Sequence, residues 1–392
     1  MLLSKEMLSI SSLVLISLEL LHRVRPTSPL KLSFHSWKVN YTDKHLRLKG
    51  LLEVSNPHKY MEVMVPNLKL SPTLLGEDDL NSTRIYTKII NNGSTETPRK
   101  DSYWVNYIIK GHQRAQTEIE VTIKTESKHN LINFINSLWL EVCWINYGPF
   151  GYIYRREGVL IPLNRPILRP FNKLSWHTNQ HFQILPIRTH LLGPLDDPFS
   201  IIKYYAGHLL ESGDIITIGE TPLAIIQGRF HHPTMVKVSR LARILCRFFH
   251  PTSSLATAVG LQTLIDIVGP SRVVVSWFMG TILKVVGVKG IFYRLAGSQA
   301  RLIDDITGTT PPYDQVIVLG PCYAQRICEE LSQKLKVSVA IVDVNDLGRV
   351  AILAKSLSCN GKILKEALKS NPAGNANEQT PLVLIRPRHT KQ

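Results

Sequence analysis

Residues 301–321 read RLIDDITGTTPPYDQVIVLGP and concentrate oxygen donors on a short stretch. Asp304 and Asp305 are adjacent. Thr307, Gly308, Thr309 and Thr310 follow, then two prolines, then Asp314 and an apolar run at 316–319. Hard divalent cations take oxygen ligands, and acids on a loop beside a strand are natural providers. Glycine in such a loop lets backbone amides face an anion. The same residues also make an ordinary tight turn, in which Asp and Thr hydrogen-bond their own backbone.

A second group of donors lies in VDVNDLGR, residues 342–349. Asp343 and Asn345 are two positions apart, so in a strand they face the same side. Asp346 either adds a further oxygen or caps a following helix. Arg349 suits bidentate binding of phosphate or carboxylate, or a surface ion pair. A third group is Asp196 and Asp197, ahead of Pro198. Asp197 suits an N-cap and Pro198 a first helical turn, while a helix N-terminus also attracts anions. No G-x-x-x-x-G-K-[ST] loop and no G-x-S-x-G elbow occurs. His231 and His232 lack a second ligand pair at metal spacing and read as a turn.

The elements that must hold these groups fall into two characters. Residues 32–165 read as strands. HLRLKGLLEVSN puts Leu46, Leu48, Leu52 and Val54 on one side and Arg47, Lys49 and Glu53 on the other. TEIEVTIKT does the same with Ile119, Val121 and Ile123. Turn residues separate such runs, a helical patch is expected near 129–140, and the whole predicts an antiparallel β-sandwich. Residues 166–182, rich in proline, predict a linker. From 183 to 392 strands and helices alternate, which predicts an α/β domain. Strands are expected at FQILPI, GDIITIGE, PLAIIQGRF, DQVIVLG, KVSVAIVDV and TPLVLIRP. Helices are expected at DDPFSIIKYYAGHLL, 234–250, 321–335, 347–357 and 361–369. The stretch 271–294 reads as a buried helix and a glycine-rich loop, since Arg272, Lys284 and Lys289 interrupt it. The 236–248 helix sets Arg240, Arg243 and Arg247 on one stripe and Val236, Leu241, Ile244, Leu245 and Phe248 on another. That suits anionic lipid or any surface helix with a core face.

The 392-residue chain carries 46 Lys+Arg against 30 Asp+Glu, a formal charge of +16. The excess favours anionic partners, or simply a solvated surface. Aromatics do not interleave with the basic residues, which argues against nucleic acid. Five cysteines, an odd number without a C-x-x-C pair, argue against a disulfide framework or a zinc site and fit a reducing compartment. Residues 7–21 are mostly apolar, interrupted by Glu19, and His22, Arg23 and Arg25 follow. Residues 1–25 are therefore expected to form a membrane-anchor helix contacting lipid, with the bulk of the chain cytoplasmic by the positive-inside rule. A helix packed on the folded domain is the alternative. Three glycosylation sequons, at Asn40, Asn81 and Asn92, carry no glycan in a cytoplasmic or bacterial protein.

Two resemblances extend this reading. LKGLLEVSNPHKYMEVMVPNLKLSP resembles the late-embryogenesis-abundant type 2 β-sandwich, which implies a binding or spacer module. Over residues 183–355 the chain resembles the coenzyme F-420-0:gamma-glutamyl ligase family. Four landmarks in order carry this: GPLDDPFSIIKYY, LESGDIITIGETPLAIIQGR, GSQARLIDDITGTTPPYDQVIVLGP and LKVSVAIVDVNDLGRVAIL. The resemblance implies an acid–amino-acid ligase that joins glutamate to a phospholactyl deazaflavin through an acyl phosphate, using GTP and a divalent metal, Mn or Mg. It places Asp304 at the family's metal aspartate in AGID. Asp305, Asp343, Asn345 and Asp346 become further candidate metal ligands, and Asp197, Thr307, Thr309, Arg229 and Arg349 candidate nucleotide contacts. It also admits a homodimer in which a second copy supplies residues in trans.

The departures are specific. Where the family has aqKivSKaEGR, this chain has GETPLAIIQGR. Thr221 and Ile225 stand for two lysines, Ala224 for a serine and Gln227 for a glutamate. Two lost cations remove charge that would hold a triphosphate. The sequence therefore leaves two functions open: a membrane-tethered, nucleotide- and metal-dependent amide-bond-forming ligase, or a non-catalytic ligase-fold binding or scaffold protein at the membrane.

Overall fold

The computed structural model describes residues 28–42, 45–76, 80, 83–90, 104, 106–125, 135–168, 174–179, 181–288, 290–306, 310–374 and 378–388. The expected anchor helix at 1–25 lies outside the described residues. The chain forms two compact units. One comprises the residues through Ser71, Arg84–Lys124 and Val142–Arg155. The other comprises Pro72–Thr83, Thr125–Glu141 and the chain from Arg156 onward.

The amino-terminal strands are β1 (Lys31–Thr42), β2 (His45–Ser55), β3 (Val63–Gly76), β4 (Thr83–Ile90), β5 (Tyr107–Ile109), β6 (Arg114–Thr125), β7 (Ile135–Gly148) and β8 (Gly151–Pro162). They make two four-stranded sheets, in the orders β1-β2-β6-β4 and β5-β3-β7-β8. β2 pairs antiparallel with both β1 and β6. The period-two reading holds: Leu46, Leu48, Leu52, Val54, Ile119, Val121 and Ile123 are all buried. Their alternates meet across the strands, Arg47 with Glu120 at 3.4 Å and Lys49 with Glu118 at 3.5 Å. The helical patch expected near 129–140 is corrected at its described end. From Ile135 the chain is strand β7, burying Leu138, Leu140, Val142 and Trp144 at alternate positions. That spacing satisfies a sheet face and not a helical stripe.

The second unit is built on a mixed six-stranded sheet. Its elements in chain order are β9 (His177–Thr178), β10 (Phe182–Ile187), α1 (Pro198–Tyr205), β11 (Ile215–Gly219), α2 (Glu220–Ile226), β12 (Phe230–His231), α3 (Arg240–Leu245), α4 (Ala258–Val268), α5 (Pro270–Val285), α6 (Ile291–Leu295), β13 (Ile317–Val318), α7 (Ala324–Leu335), β14 (Ser338–Val344), β15 (Val350–Lys355), α8 (Gly361–Leu368) and β16 (Leu382–Pro387). The sheet order is β15-β14-β11-β16-β10-β9. β11 and β14 are parallel; β16 runs antiparallel to both β11 and β10, and β15 to β14. The central strands IITIG, SVAIVDV and LVLIRP are apolar on both faces because both are covered. On one face Ile202, Tyr205, Cys328 and Leu331 of α1 and α7 meet Ile216, Ile218, Val339 and Ile341. On the other, Leu364, Ala367 and Leu368 of α8 meet Ile215, Ala340, Val342 and Val383. A separate core forms around α3 to α6 from residues such as Leu245, Leu261, Leu264, Phe292 and Ile303.

Three further expectations are corrected. In PLAIIQGRF, read as a strand, residues 222–226 belong to α2, Gly228 at φ +65° follows its end, and only Phe230 enters a strand, β12. An all-apolar run buried on every side has no period to distinguish the two. Residues 347–357, read as a helix, form a turn and strand β15. Gly348 at φ +75° closes the turn, where Asn345 N donates to Arg349 O and Gly348 N donates to Asn345 O, both at 3.1 Å. Helix α5 buries only Val273 and Ser276, so it is not the interior helix that 271–294 suggested. Among the described residues no single helix is long and apolar enough to cross a membrane.

Candidate functional site

Because β11 and β14 run parallel, their carboxyl ends open on one edge of the sheet. Such edges are where open α/β sheets receive ligands. A cavity of about 460 Å³ lies there, walled in part by Gly219, Glu220 and Thr221 after β11 and by Asp343 and Asn345 at the end of β14. Asp304 reaches it from a short bridge, its N–H donating to Val318 O and its carbonyl accepting from Val318 N, both at 2.9 Å. Leu191, Leu192, Ile225, Val344 and Leu368 supply apolar wall. Among the described residues that line it there is no lysine or arginine.

Three carboxylates therefore share one enclosure. Glu220 is 8% exposed, and its Oε2 is buried without a hydrogen-bond partner. Burial, then the nearby Asp304 and Asp343 carboxylates, push its carboxyl up to about 9. Burial also pushes Asp304 up to about 6; the Thr221 hydroxyl, donating to Asp304 Oδ2 at 3.1 Å, opposes the rise and Asp343 adds to it. Asp343 is raised by burial, against the Arg349 charge. The direction of that shift favours the protonated acid at neutral pH, and Glu220 Oε2 has no hydrogen-bond partner among the described residues. His190 lies on the same wall, its Nδ1 2.8 Å from Tyr205 Oη and its Nε2 3.0 Å from Asp196 Oδ1.

Of the residues singled out from sequence, the fold brings Asp304, Asp343 and Asn345 to the cavity. Asp305 points the other way, as its neighbour in an extended segment must. It is buried, accepts from the Thr257 hydroxyl that caps α4, and accepts from Ile306 N at 2.8 Å. Asp346 accepts from Asn371 Nδ2 at 2.8 Å, and Asn345 Oδ1 accepts from Arg349 N at 3.0 Å. Arg349 is exposed. Asp197 is the exposed N-cap of α1, accepting from Ser200 N at 2.9 Å. Arg229 Nε donates to Gly320 O at 2.7 Å, and Gln227 pairs both ends of its amide with Cys322 N and O. Both side chains thus fasten the loop after β13. Thr307 and Thr309 lie outside the described residues. Sequence reasoning passed over Glu220 and His190. Glu220 carried a signal, an acid closing the apolar run IITIG, and His190 carried none.

The family model of the N-terminal Ig-like domain of F420-0:gamma-glutamyl ligase matches residues 31–165. The match supports the chain's resemblance to the gamma-glutamyl ligase family; it covers the stretch expected to be a late-embryogenesis-abundant type 2 sandwich and does not support that expectation. No curated protein matches the chain. Among solved structures, the GAE domain of GGA2p from Saccharomyces cerevisiae aligns at 12% identity over 36% of this chain and 96% of that one, with a TM-score of 0.21. The FixG-related protein from Vibrio parahaemolyticus aligns at 11% identity over 34% of this chain and 95% of that one, with a TM-score of 0.18. At those scores neither alignment carries an argument.

Proposed function

We propose that the second unit is a gamma-glutamyl-ligase-type scaffold whose cavity receives an organic cation, and that nucleotide-driven amide-bond formation is not its chemistry. Glu220 carries this reading: a buried acid with an unpartnered oxygen, beside two further acids and, among the described lining residues, no lysine or arginine. Burial and the neighbouring carboxylates disfavour the ionised form of Glu220, and a bound cation would let it ionise. An ammonium group needs one carboxylate at a time, and its alkyl body suits the Leu191, Leu192 and Leu368 wall. The all-oxygen donor set also suits a hard divalent cation in its chemistry. Yet among the described residues no three His, Cys, Asp or Glu side chains are placed to hold one metal ion. A triphosphate does not fit. Its expected lysine positions are Thr221, which donates to Asp304, and Ile225, which belongs to an apolar cluster with Leu160, Ala224 and Tyr313. One observation favours the ligase as a second reading: Asp304 and Asp343, both candidate metal ligands, share the cavity. In either case the apolar segment at 7–21 would tether the chain.

Calorimetry on the full chain separates the readings, with putrescine, manganese chloride, and manganese chloride with GTP as probes. Putrescine is expected to bind and to release a proton from Glu220, so its affinity rises with pH toward about 9. Glu220→Gln removes the proton release. Manganese-dependent GTP binding that Asp304→Asn abolishes would overturn the proposal in favour of the ligase. Binding of none of the probes would leave the acids without a ligand of either class and would also overturn it.

A further inference from the structure

Residues 230–303 carry nine lysines and arginines against one acid, Asp266, whose carboxylate accepts from Gln262 Nε2 at 2.6 Å. Helix α5 lies in this stretch. A surface helix normally turns an apolar stripe inward and a polar face outward; α5 is apolar on both. Val273 and Ser276 face the core, and Gly280 packs so closely on Phe292 that a Cβ there would stand 3.0 Å from the Phe292 side chain. On the other side Val274, Val275, Phe278, Met279, Ile282 and Val285 are exposed, Phe278 at 58% and Val285 at 86%. Trp277 joins this strip to the turn after α3 through an edge contact with Phe248, ring centroids 5.1 Å apart. Phe248 and Ile244 are themselves exposed, and Arg240, Arg243 and Arg247 are exposed between them.

A continuous exposed apolar strip rimmed by cations is an interaction surface. We infer that α5, with the adjoining Ile244 and Phe248 edge, lies on an anionic lipid surface. Its apolar side enters the acyl boundary and the three arginines sit at the headgroups. Charge complementarity selects this occupant: a second copy of the same face would bring cation against cation, whereas phosphate headgroups neutralise them. The helix lies on the bilayer and does not cross it. Among the described residues only α4 and α5 together reach a spanning length, bent by 114°, and α4 commits Leu261, Leu264 and Ile265 to the protein core. The inference does not depend on what the cavity binds.

Hydrogen exchange on the full chain tests this, using vesicles of phosphatidylcholine alone or mixed with phosphatidylglycerol. Amides at 240–248 and 270–288 are expected to slow with the anionic vesicles only, and to recover at high salt. Replacing Phe278→Glu with Ile282→Glu should abolish that local slowing while exchange in the mixed sheet stays unchanged, even where the rest of the chain still holds the vesicle. Removing the three arginines together (R240Q, R243Q, R247Q) should weaken the partitioning of this segment about a hundredfold. Three outcomes would overturn the inference: no slowing in any vesicle, slow exchange without vesicles at every dilution (cover by another part of the chain), or slowing that follows protein concentration (a second copy).

Discussion

Strand β11 is flanked by two buried acids that meet opposite surroundings. Asp214 precedes it at 1% exposure, and Glu220 follows it at 8%. Asp214 is balanced. Arg386, from β16, donates to both of its oxygens at 2.9 Å, and the same guanidinium reaches Leu209 O and Glu211 and covers the Trp176 ring. Glu220 has no such partner, and its neighbours are two more acids. The amino end of the strand is finished as structure. The carboxyl end keeps an unmet electrostatic demand, which is what a ligand site requires before its ligand arrives.

The sharpest way to break the contrast is to make the balanced end resemble the unbalanced one. Arg386→Ala leaves Asp214 buried and unpaired and is expected to lower unfolding free energy by about 3–5 kcal/mol in urea denaturation. Replacing the pair together, Arg386→Met with Asp214→Leu, should cost less than Arg386→Ala alone. At the other end the sign reverses. Glu220 has its folded pKa raised to about 9 from 4.5, so the unfolded state loses its proton first as pH rises. Stability is unaffected below 4.5 and falls through the interval up to about 9. Glu220→Gln should therefore stabilise the protein at neutral pH, by at most about 3 kcal/mol, with the gain vanishing in acid. Thermal melts of both proteins across that range check the direction. A smaller effect measures the repulsion itself. Glu220→Gln and Asp304→Asn should each relieve part of the same penalty, so their combined gain falls short of the sum by about 1 kcal/mol. The smallest effect sits outside the cavity. Asp197→Ala should cost about 0.5–1 kcal/mol as a lost N-cap and leave putrescine binding unchanged; a lost affinity would mean that α1 belongs to the site.

How far the sequence could be read follows the same physics. Alternation in β2 and β6 was legible because one face of each strand is buried, and Asp197 with Pro198 marked the start of α1. PLAIIQGRF was not, because burial on all sides erases period. VNDLGR was not legible: Asp346 suits a helix cap by type, and only pairing with β14 makes the following VAILAK a strand. The adjacent acids at 304 and 305 show the limit within two residues. Their types announced an oxygen-rich site, yet backbone alternation sends one to the cavity and the other to the Thr257 cap.

By itself the sequence determined the order of a strand-rich segment and an α/β segment, the cationic excess, and two of the three acids in the cavity, Asp304 and Asp343. These depend on residue type and local spacing, which the chain carries in one dimension. The tertiary structure alone decided that Glu220, Asp304 and Asp343 share one cavity lined, among the described residues, by no lysine or arginine, while Asp305, Asp346 and Asp197 turn to caps and loop contacts. It also decided that α5 presents an apolar side outward. Charge balance and exposure are sums over neighbours distant in sequence, and only the parallel pairing of β11 with β14 and the packing of α5 on α6 bring those neighbours together.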